Sequence, residues 1–405
     1  MKDDNMEKSK KKFSIIPKYS EVPYPTGPDF ENDRGDIVYY GTDNKFPNLL
    51  IDLYHKSSVH ATAVNAKHQS VVGQGLTGYD EDILKYANKE GETWNDIFTK
   101  VALDRVIYGG FALEVIWSND RTKIAEVYHI DFSYVRAKRM NDRGHIPGYY
   151  IWREFGKMRG MVPNKSDIPY LPKFSKVDRT SPSQMIYFQP YTTGLDYYPL
   201  PDYIGALKTI ELDSEVDNFH TNNVKNGLAP SLAITTFTDA DVEEREEIER
   251  QLRSAYAGSD NAGSLMYMDV ANIDQKPDIT PIPQNGADGY YTTVNEMVTQ
   301  KILTGHRITS PMLVGIKTAG QLGGRDELLD AYSHYLTTVI YPMQSDILKT
   351  FEYIFSVNGI ETTLGVEQTK LFSGGKEEVD IVTSVEADAG EDKILETKAE
   401  GVSND

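Results

Sequence analysis

The sequence predicts an α+β fold for this chain of 405 residues. Two helical patterns come first, and a region rich in Val, Ile, Tyr and Phe, divided by turn sequences, follows them. Long helical patterns return after Pro199, interrupted by one mixed segment. With 39% hydrophobic and 25% charged residues the composition is ordinary for a globular protein. At about 150 residues per domain, this length corresponds to two or three packed units.

The early helices are predicted by their apolar spacing and by their end signals. Apolar residues recur at steps of three and four over 46–72, with a break expected near Ser57. Thr93 is a typical N-cap for a second helix over 94–108, and Gly109 follows as its stop signal.

The middle of the chain predicts an antiparallel, meander-like group of strands. Its predicted strands cover residues 111–117, 124–130, 134–138, 148–155 and 185–190. The intervening segment 156–182 is basic and contains prolines, so we expect an exposed loop there. Three tyrosine pairs lie at the ends of predicted elements, which favours a place in interfaces. These pairs are Tyr39-Tyr40, Tyr149-Tyr150 and Tyr290-Tyr291.

Longer elements dominate the second half. In order they are a helix over 202–226, a β-α-β-β unit over 230–283, a helix over 290–304, a glycine-bearing loop over 306–326 and a long helix over 327–357. Pro342 lies inside the last helix, so the pattern predicts a kink between Leu336 and Pro342.

Charge and cysteine content narrow the function classes. The net charge is −19, from 42 Lys and Arg against 61 Asp and Glu, and there is no cysteine. The charge argues against non-specific coating of nucleic acid, which depends on Lys and Arg neutralising phosphates. Without cysteine there is no disulfide, no thiolate metal site and no cysteine nucleophile, and a reducing origin fits. No apolar run approaches the ~18 residues that a membrane helix needs, so we expect a soluble chain.

The two ends carry opposite charge. Residues 1–20 hold six lysines against three acids, whereas residues 376–405 hold ten acids against three lysines, a net −7. Low apolar content and like charges predict solvated ends, or ends that order only on a partner.

No catalytic motif stands out. The sequence lacks phosphate-binding, hydrolase-elbow, zinc-protease and calcium-loop patterns. His60 and His68 could share a helix face, but eight residues separate them by about 12 Å, too far for one metal ion. The densest acidic cluster, over 239–249, alternates with arginines and favours a solvated or protein-docking face over catalysis. We therefore expect no enzyme, no cofactor and no metal, with a carbohydrate-active hydrolase using paired carboxylates as the alternative.

Four stretches of sequence carry a family resemblance. They are IYGGFALEVIW from Ile107 to Trp117, YYPLPDYIGALKTIELDSEVDNFHTNNVKNGLAPS from Tyr197 to Ser231, AYAGSDNAGSLMYM from Ala255 to Met268, and ITSPMLVGI from Ile308 to Ile316. With the order of elements from residue 202 onward, they resemble the portal proteins of tailed double-stranded DNA bacteriophages, in the HK97-like group. The resemblance spans roughly residues 40–357. The short region after Val357 implies a minimal crown, and the 156–182 segment has no counterpart.

The resemblance implies a portal-like division of the chain: a helix and antiparallel-sheet wing, a long helical stem with a β-α-β-β clip insert, a long kinked spanning helix and a minimal crown. The expected boundaries are 1–35 for a flexible arm, 36–198 for the wing, 199–228 for the stem helix, 229–285 for the clip, 286–305 for the second stem helix, 306–326 for the tunnel loop, 327–369 for the kinked helix with a return strand of the wing, and 370–405 for the acidic tail and minimal crown.

The resemblance also implies a function and its surfaces. The chain would form a ring of about twelve copies at one capsid vertex, through which double-stranded DNA passes without sequence-specific contact. The channel-facing stem residues would be Thr292, Asn295, Glu296, Thr299 and Gln300. The tunnel loop would present Arg307, Lys317, Gly320, Gly323, Gly324 and Arg325 to the channel. The clip would dock terminase or adaptor through Glu243, Glu244, Glu247, Arg250 and Arg253.

The expected partners follow from the same resemblance. They are further copies of the chain, the terminase large subunit, a head-tail adaptor, the major capsid and scaffolding proteins, and passing DNA, with no membrane. The expected location is the virion portal vertex after assembly in the bacterial cytoplasm. Another head-tail ring component of a phage is a second alternative.

Overall fold

The computed structural model describes residues 36–78, 85–155, 167–225, 232–236, 246, 265–269, 287–316 and 325–369. Its helices and antiparallel sheets confirm the predicted α+β class. No helix within these ranges is both long enough and apolar enough to cross a membrane.

Three helices open the described chain. Helix α1 is Phe46–Lys56 and α2 is Ser58–Val72, so the predicted break falls at Ser57. Ser57 ends one helix and caps the next, because its side chain accepts a hydrogen bond from the backbone N–H of His60. Helix α3, Trp94–Tyr108, has the predicted Thr93 cap, completed as a capping box by Asp96, and it ends at Gly109.

Two three-stranded antiparallel sheets follow α3. Their strands, after the short β1 at Leu76–Thr77, are β2 (Phe111–Trp117), β3 (Ile124–Ile130), β4 (Val135–Ala137), β5 (Gly148–Ile151), β6 (Tyr170–Pro172) and β7 (Ser183–Phe188). One sheet has the order β3-β2-β7, so only the other, β4-β5-β6, is a simple meander.

Strand β6 corrects the expectation of an exposed loop over 156–182. Its residues pair with Gly148–Tyr150, and residues 156–166 lie outside the described part of the chain. The approach depends on Gly148, since a Cβ there would lie 2.4 Å from the carbonyl oxygen of Leu171. Strand β6 has only three residues and ends in a proline, so its sequence is too short to show the alternating pattern that would predict a strand.

The second half contains the predicted long helices. Helix α4 is Leu207–Lys225, after a 3₁₀ turn at Ile204–Ala206, and α5 is Ala287–Gly305. Strands β8 (Leu232–Thr236) and β9 (Leu265–Asp269) pair in parallel, as a β-α-β connection requires.

The final helix has three parts. These are α6 (Arg325–Tyr335), a π-helical segment (Leu336–Ile340) and α7 (Tyr341–Val357). The irregular turn lies where Pro342 predicted a kink. Strand β10 (Gly365–Val366) then returns to pair with β1.

One main hydrophobic core joins the first helices, the sheets, α4 and α5. Trp94 of α3 packs edge-on against Phe351 and Phe355 of α7, with ring centroids 5.1 and 4.7 Å away. Arg105 of α3 binds Asp346 of α7 at 3.1 Å at the margin of this contact. The last part of the long helix, α7, therefore packs against α3.

Three of the six paired tyrosines lie in the core and not at an interface, where we had expected them. Tyr40, Tyr149 and Tyr150 are buried in the chain itself. Tyr40 stacks on Tyr198 with centroids 4.2 Å apart, and its hydroxyl donates to the carbonyl of Pro199. A tyrosine can pack in a core like any other aromatic residue when its hydroxyl has a hydrogen-bond partner. For Tyr40 that partner, Pro199, is distant in sequence. The side chains of Tyr290 and Tyr291 lie outside the described set.

Gly109 is a position where an added methyl group has no space. Its φ is +84°, and a Cβ would lie 2.2 Å from the carbonyl oxygen of Leu200. We expect Gly109→Ala to lower the free energy of unfolding by about 2 to 3 kcal/mol, because a left-handed backbone and an overpacked contact both resist it. Chemical denaturation followed by circular dichroism measures the change.

Gly359 provides the matched control for that substitution. Its φ is +76°, but no atom lies within 4 Å of the position of a Cβ. Gly359→Ala should therefore cost only the left-handed backbone penalty of about 1 kcal/mol. Equal losses in the two variants would contradict the claimed contact with Leu200.

Candidate functional site

Helix α5 presents a polar, weakly charged face. Among the residues predicted to face a channel, Thr299 is half-buried and the others are exposed, namely Thr292, Asn295, Glu296 and Gln300. Between residues 292 and 301 only Glu296 and Lys301 are charged. Such a face offers few groups that could hold a phosphate.

The opposite side of α5 fixes the helix to the rest of the chain. Val298 and Ile302 are buried in the main core, and α5 contacts both α2 and α4. Gly305 ends the helix against Ala206, where a Cβ would lie 2.4 Å from the Ala206 Cβ. The end of α5 is thus held closely against the 3₁₀ turn that leads into α4.

A buried histidine pair lies immediately after α5. The Nδ1 atom of His60, on α2, lies 2.8 Å from the Nε2 atom of His306. Tyr203 stacks on His306 and packs edge-on against His60. Both histidines have no exposed surface, so the pair joins α2 directly to the start of the 306–326 loop.

The histidine pair is neutral. Burial, with the nearby Lys67 charge adding to it, lowers the pKa of His60 to about 3. Burial likewise holds the pKa of His306 well below its usual range, again with Lys67 contributing. One ring nitrogen of the contact must donate and the other must accept, which a doubly protonated pair cannot do.

Ionic contacts surround the pair. Lys67 is 1% exposed and lies 3.6 Å from the carboxylate of Asp202, just before the 3₁₀ turn that leads into α4. Burial lowers the pKa of Lys67 to about 8, although Asp202 opposes that shift. The hydroxyl of Ser57 donates to Asp213 on α4 at 2.7 Å. These contacts bind α2 to α4 and to the turn that precedes it.

Sequence reasoning missed the pair. His60 and Lys67 lie on the buried face of α2 together with Ala63, Val64 and Val71, at helical spacing. The sequence did contain a signal for these contacts. Two polar residues lie within an otherwise apolar helix face, which indicates that each has a buried partner. His68, which the sequence places on the same face as His60, is half-buried and contacts the carbonyl of Thr99 instead.

Several predicted site residues cannot be placed. The loop residues Lys317, Gly320, Gly323 and Gly324 and the clip residues Glu243, Glu244, Glu247, Arg250 and Arg253 lie outside the described residues. Arg325 begins α6, and Arg307 is exposed at the loop base. Glu246, inside the predicted charged helix, is helical and exposed.

The described residues offer little for catalysis. No three His, Asp or Glu side chains in those ranges are close enough together to bind a metal ion. An open cavity of about 430 Å³ beside the end of α7 includes Glu352 and Glu361 in its lining. Glu352 already accepts the backbone N–H of Leu364 there, at 2.9 Å, as a structural cap.

Comparison with known families decides where the chain belongs. The model of the phage portal protein family matches residues 81–358, which is more than half of the chain. The chain belongs to the phage portal protein family.

Relatives of this portal chain differ in how much they share. A "Probable portal protein" of Haemophilus phage HP1 (strain HP1c1) is 26% identical over 215 residues, which are 48% of this chain and 61% of that protein. The match thus spans less than two thirds of the relative's length.

Solved structures share the fold of the portal chain. A chain from a virion of a native gene transfer agent particle has a TM-score of 0.53 at 12% identity, covering 82% of this chain and 85% of that one. A chain from the neck of an empty particle of this kind, computed with C6 symmetry, has a TM-score of 0.54 at 15% identity, covering 83% and 87%. A chain from the neck of a native particle, computed with C12 symmetry, has a TM-score of 0.53 at 14% identity, covering 82% and 86%.

Proposed function

We propose that the chain is a portal subunit that forms a closed ring at one capsid vertex and conducts double-stranded DNA during packaging and ejection. Membership of the portal family is the observation that carries the proposal. A ring of about twelve copies is supported by the C12 symmetry in the description of one structure with the same fold. The ring acts as a conduit and a docking platform and performs no chemistry.

The exposed face of α5 suits the wall of such a channel. We assign Thr292, Asn295, Glu296 and Gln300 to the channel side, with Thr299 at its edge. Duplex DNA is held by Lys and Arg that displace counterions from its phosphates. Because this face has few charges, DNA can pass along it without being arrested.

The regional assignments follow from the order of elements. Residues 36–198 form the wing, 199–228 and 286–305 the stem, 229–285 the clip, 306–326 the tunnel loop, and 327–369 the kinked helix with β10, between a basic arm and an acidic tail. The charged clip helix docks terminase during packaging and an adaptor afterwards. The wing contacts capsid and scaffolding proteins, and assembly takes place in the bacterial cytoplasm.

Neither alternative has comparable support. A hydrolase with paired carboxylates would need two free acids facing each other in a cleft. In the cavity beside α7, one of the two glutamates is already used as a backbone cap. The family model favours a portal over another head-tail ring component.

Deleting Gly320 to Gly324 tests the channel role of the loop. We expect rings to assemble as before, since the contacts of α2, α4 and α5 described above do not involve these residues. The DNA packaged or retained per particle should fall at least several-fold, because the shortened loop no longer reaches the duplex. Quantitative measurement of DNA in purified heads reads the effect.

A variant with five serines in place of the same residues is the control. It keeps the length of the loop, so it should keep most of the DNA content. Normal DNA content in the deletion variant would remove the loop from the DNA path while leaving the ring assignment intact.

A further inference from the structure

The long helix has a carbonyl group that lacks its regular α-helical donor. In a regular α-helix the C=O of Thr338 accepts the N–H four residues later, which is the position of Pro342. Proline has no N–H, and its ring crowds the carbonyl four residues before it. The chain widens here into the π-helical segment, where the N–H of Tyr341 reaches the C=O of Leu336, five residues back.

Arg307 supplies the missing donor from another element. Its Nη2 atom donates to the carbonyl oxygen of Thr338 at 3.0 Å. Two residues further on, the hydroxyl of Thr309 donates to the carbonyl of Ala331 at 2.8 Å. The base of the 306–326 loop is therefore attached to the long helix on both sides of Tyr335.

The backbone at Arg307 is unfavourable for arginine. Its φ is +59°, the left-handed region that favours glycine. The N–H of Arg307 donates to Thr304 and that of Ile308 to Leu303, at 2.9 and 3.0 Å. These two bonds form a Schellman motif in which Arg307 occupies the position where glycine is usual. A strained residue at such a position suggests that its side chain has a role.

We propose that Arg307 is a positioning residue that locks the base of the 306–326 loop to the Thr338 carbonyl, whose regular α-helical donor is missing at Pro342. This role differs from the channel-facing position that the family resemblance implied, because the guanidinium donates to the protein backbone. The hydrogen bond at Thr338 stabilises the loop base by more than the left-handed backbone at Arg307 costs. The effect on DNA passage rests on the proposed function, whereas the lock itself is a property of the single chain.

Arg307→Gly separates this role from ordinary helix capping. Glycine relieves the left-handed strain, so without a role for the side chain the variant should be as stable as the parent or more stable. The lock predicts instead a roughly tenfold lower ratio of folded to unfolded chain, measured by chemical denaturation. A neutral or stabilising result would overturn the proposal. Arg307→Lys retains one donor on a flexible stem and should recover only part of the loss.

Pro342→Ala provides the partner for a double-mutant cycle. Alanine restores an N–H that can reach Thr338, so in this background Arg307→Gly should change the folded ratio less than twofold. The same loss in both backgrounds would show that Arg307 does not act on the carbonyl freed by Pro342.

Amide hydrogen exchange then locates the effect. The N–H groups of Leu313, Gly315 and Ile316 are bonded within the loop, at 3.0 to 3.1 Å. Arg307→Gly should speed their exchange about tenfold and leave the strand amides of β2 unchanged. Uniform acceleration across both regions would indicate general destabilisation and contradict a local lock. This result is independent of ring formation, so failure of the portal assignment would be seen separately.

Discussion

Replacing Arg136 with methionine is expected to lower the free energy of unfolding by about 3 kcal/mol or more. Arg136 is completely buried and donates to the carbonyls of Ser133, Val135 and Asn44 at 2.8 to 3.0 Å. A further donation, from its Nε, goes to the side-chain oxygen of Asn44. Methionine fills much of the same space but donates to none of these acceptors.

Matched substitutions isolate the cause of this loss. Arg143 is exposed on the turn before β5, so Arg143→Met should change stability by less than about 0.5 kcal/mol. Arg136→Lys keeps the charge but offers one nitrogen where the guanidinium offers three, and should recover only part of the loss. Denaturant unfolding measures all three variants. Full stability in Arg136→Lys would contradict the multiple-donor account.

Acidification from pH 7 to pH 5 is expected to cost about 4 kcal/mol through His60 and His306 together. The pKa of His60 is lowered to about 3 and that of His306 lies well below its usual range, in both cases mainly through burial. In the unfolded chain both rings take up protons near pH 6.5. The unfolded state therefore binds more protons below that pH, so this contribution to stability is present above it and is lost as the pH falls.

Other groups also titrate between pH 7 and pH 5, so the contribution of the two histidines is measured as a difference in stability between the parent chain and a variant without them. Burial raises the pKa of Asp104 to about 6, which opposes the loss because the folded state then binds the extra proton. Comparing the chain with His60→Leu/His306→Leu removes that effect, since Asp104 is present in both. Denaturant unfolding at several pH values should show a shallower fall for the double variant. Parallel pH profiles would contradict the neutral histidine pair.

Local signals account for the parts of the fold that the sequence predicted well. The capping box of Thr93 and Asp96 and the stop at Gly109 lie within a few residues of the helix ends that they define. Pro342 has its effect on the turn immediately before it, so the irregular segment was also predictable. In each case the determining atoms are close together along the chain.

The contacts of the candidate site are not of this local kind. His60 and His306 are 246 positions apart in the chain and meet only when α2 packs against the end of α5. Arg307 illustrates the same limit, because the family resemblance implied a position facing the channel and did not indicate the contact with Thr338 on another helix. Helical spacing predicts which residues share one face of a helix. It does not predict which residue of another element that face contacts.

The central claim, a closed portal ring, is tested most directly by electron microscopy of the purified chain, alone and together with its capsid protein. We expect end-on views of closed rings of about twelve subunits around a central hole that is wide enough for duplex DNA. Monomers or small open oligomers under every condition, including assembly beside the capsid protein, would contradict the portal account.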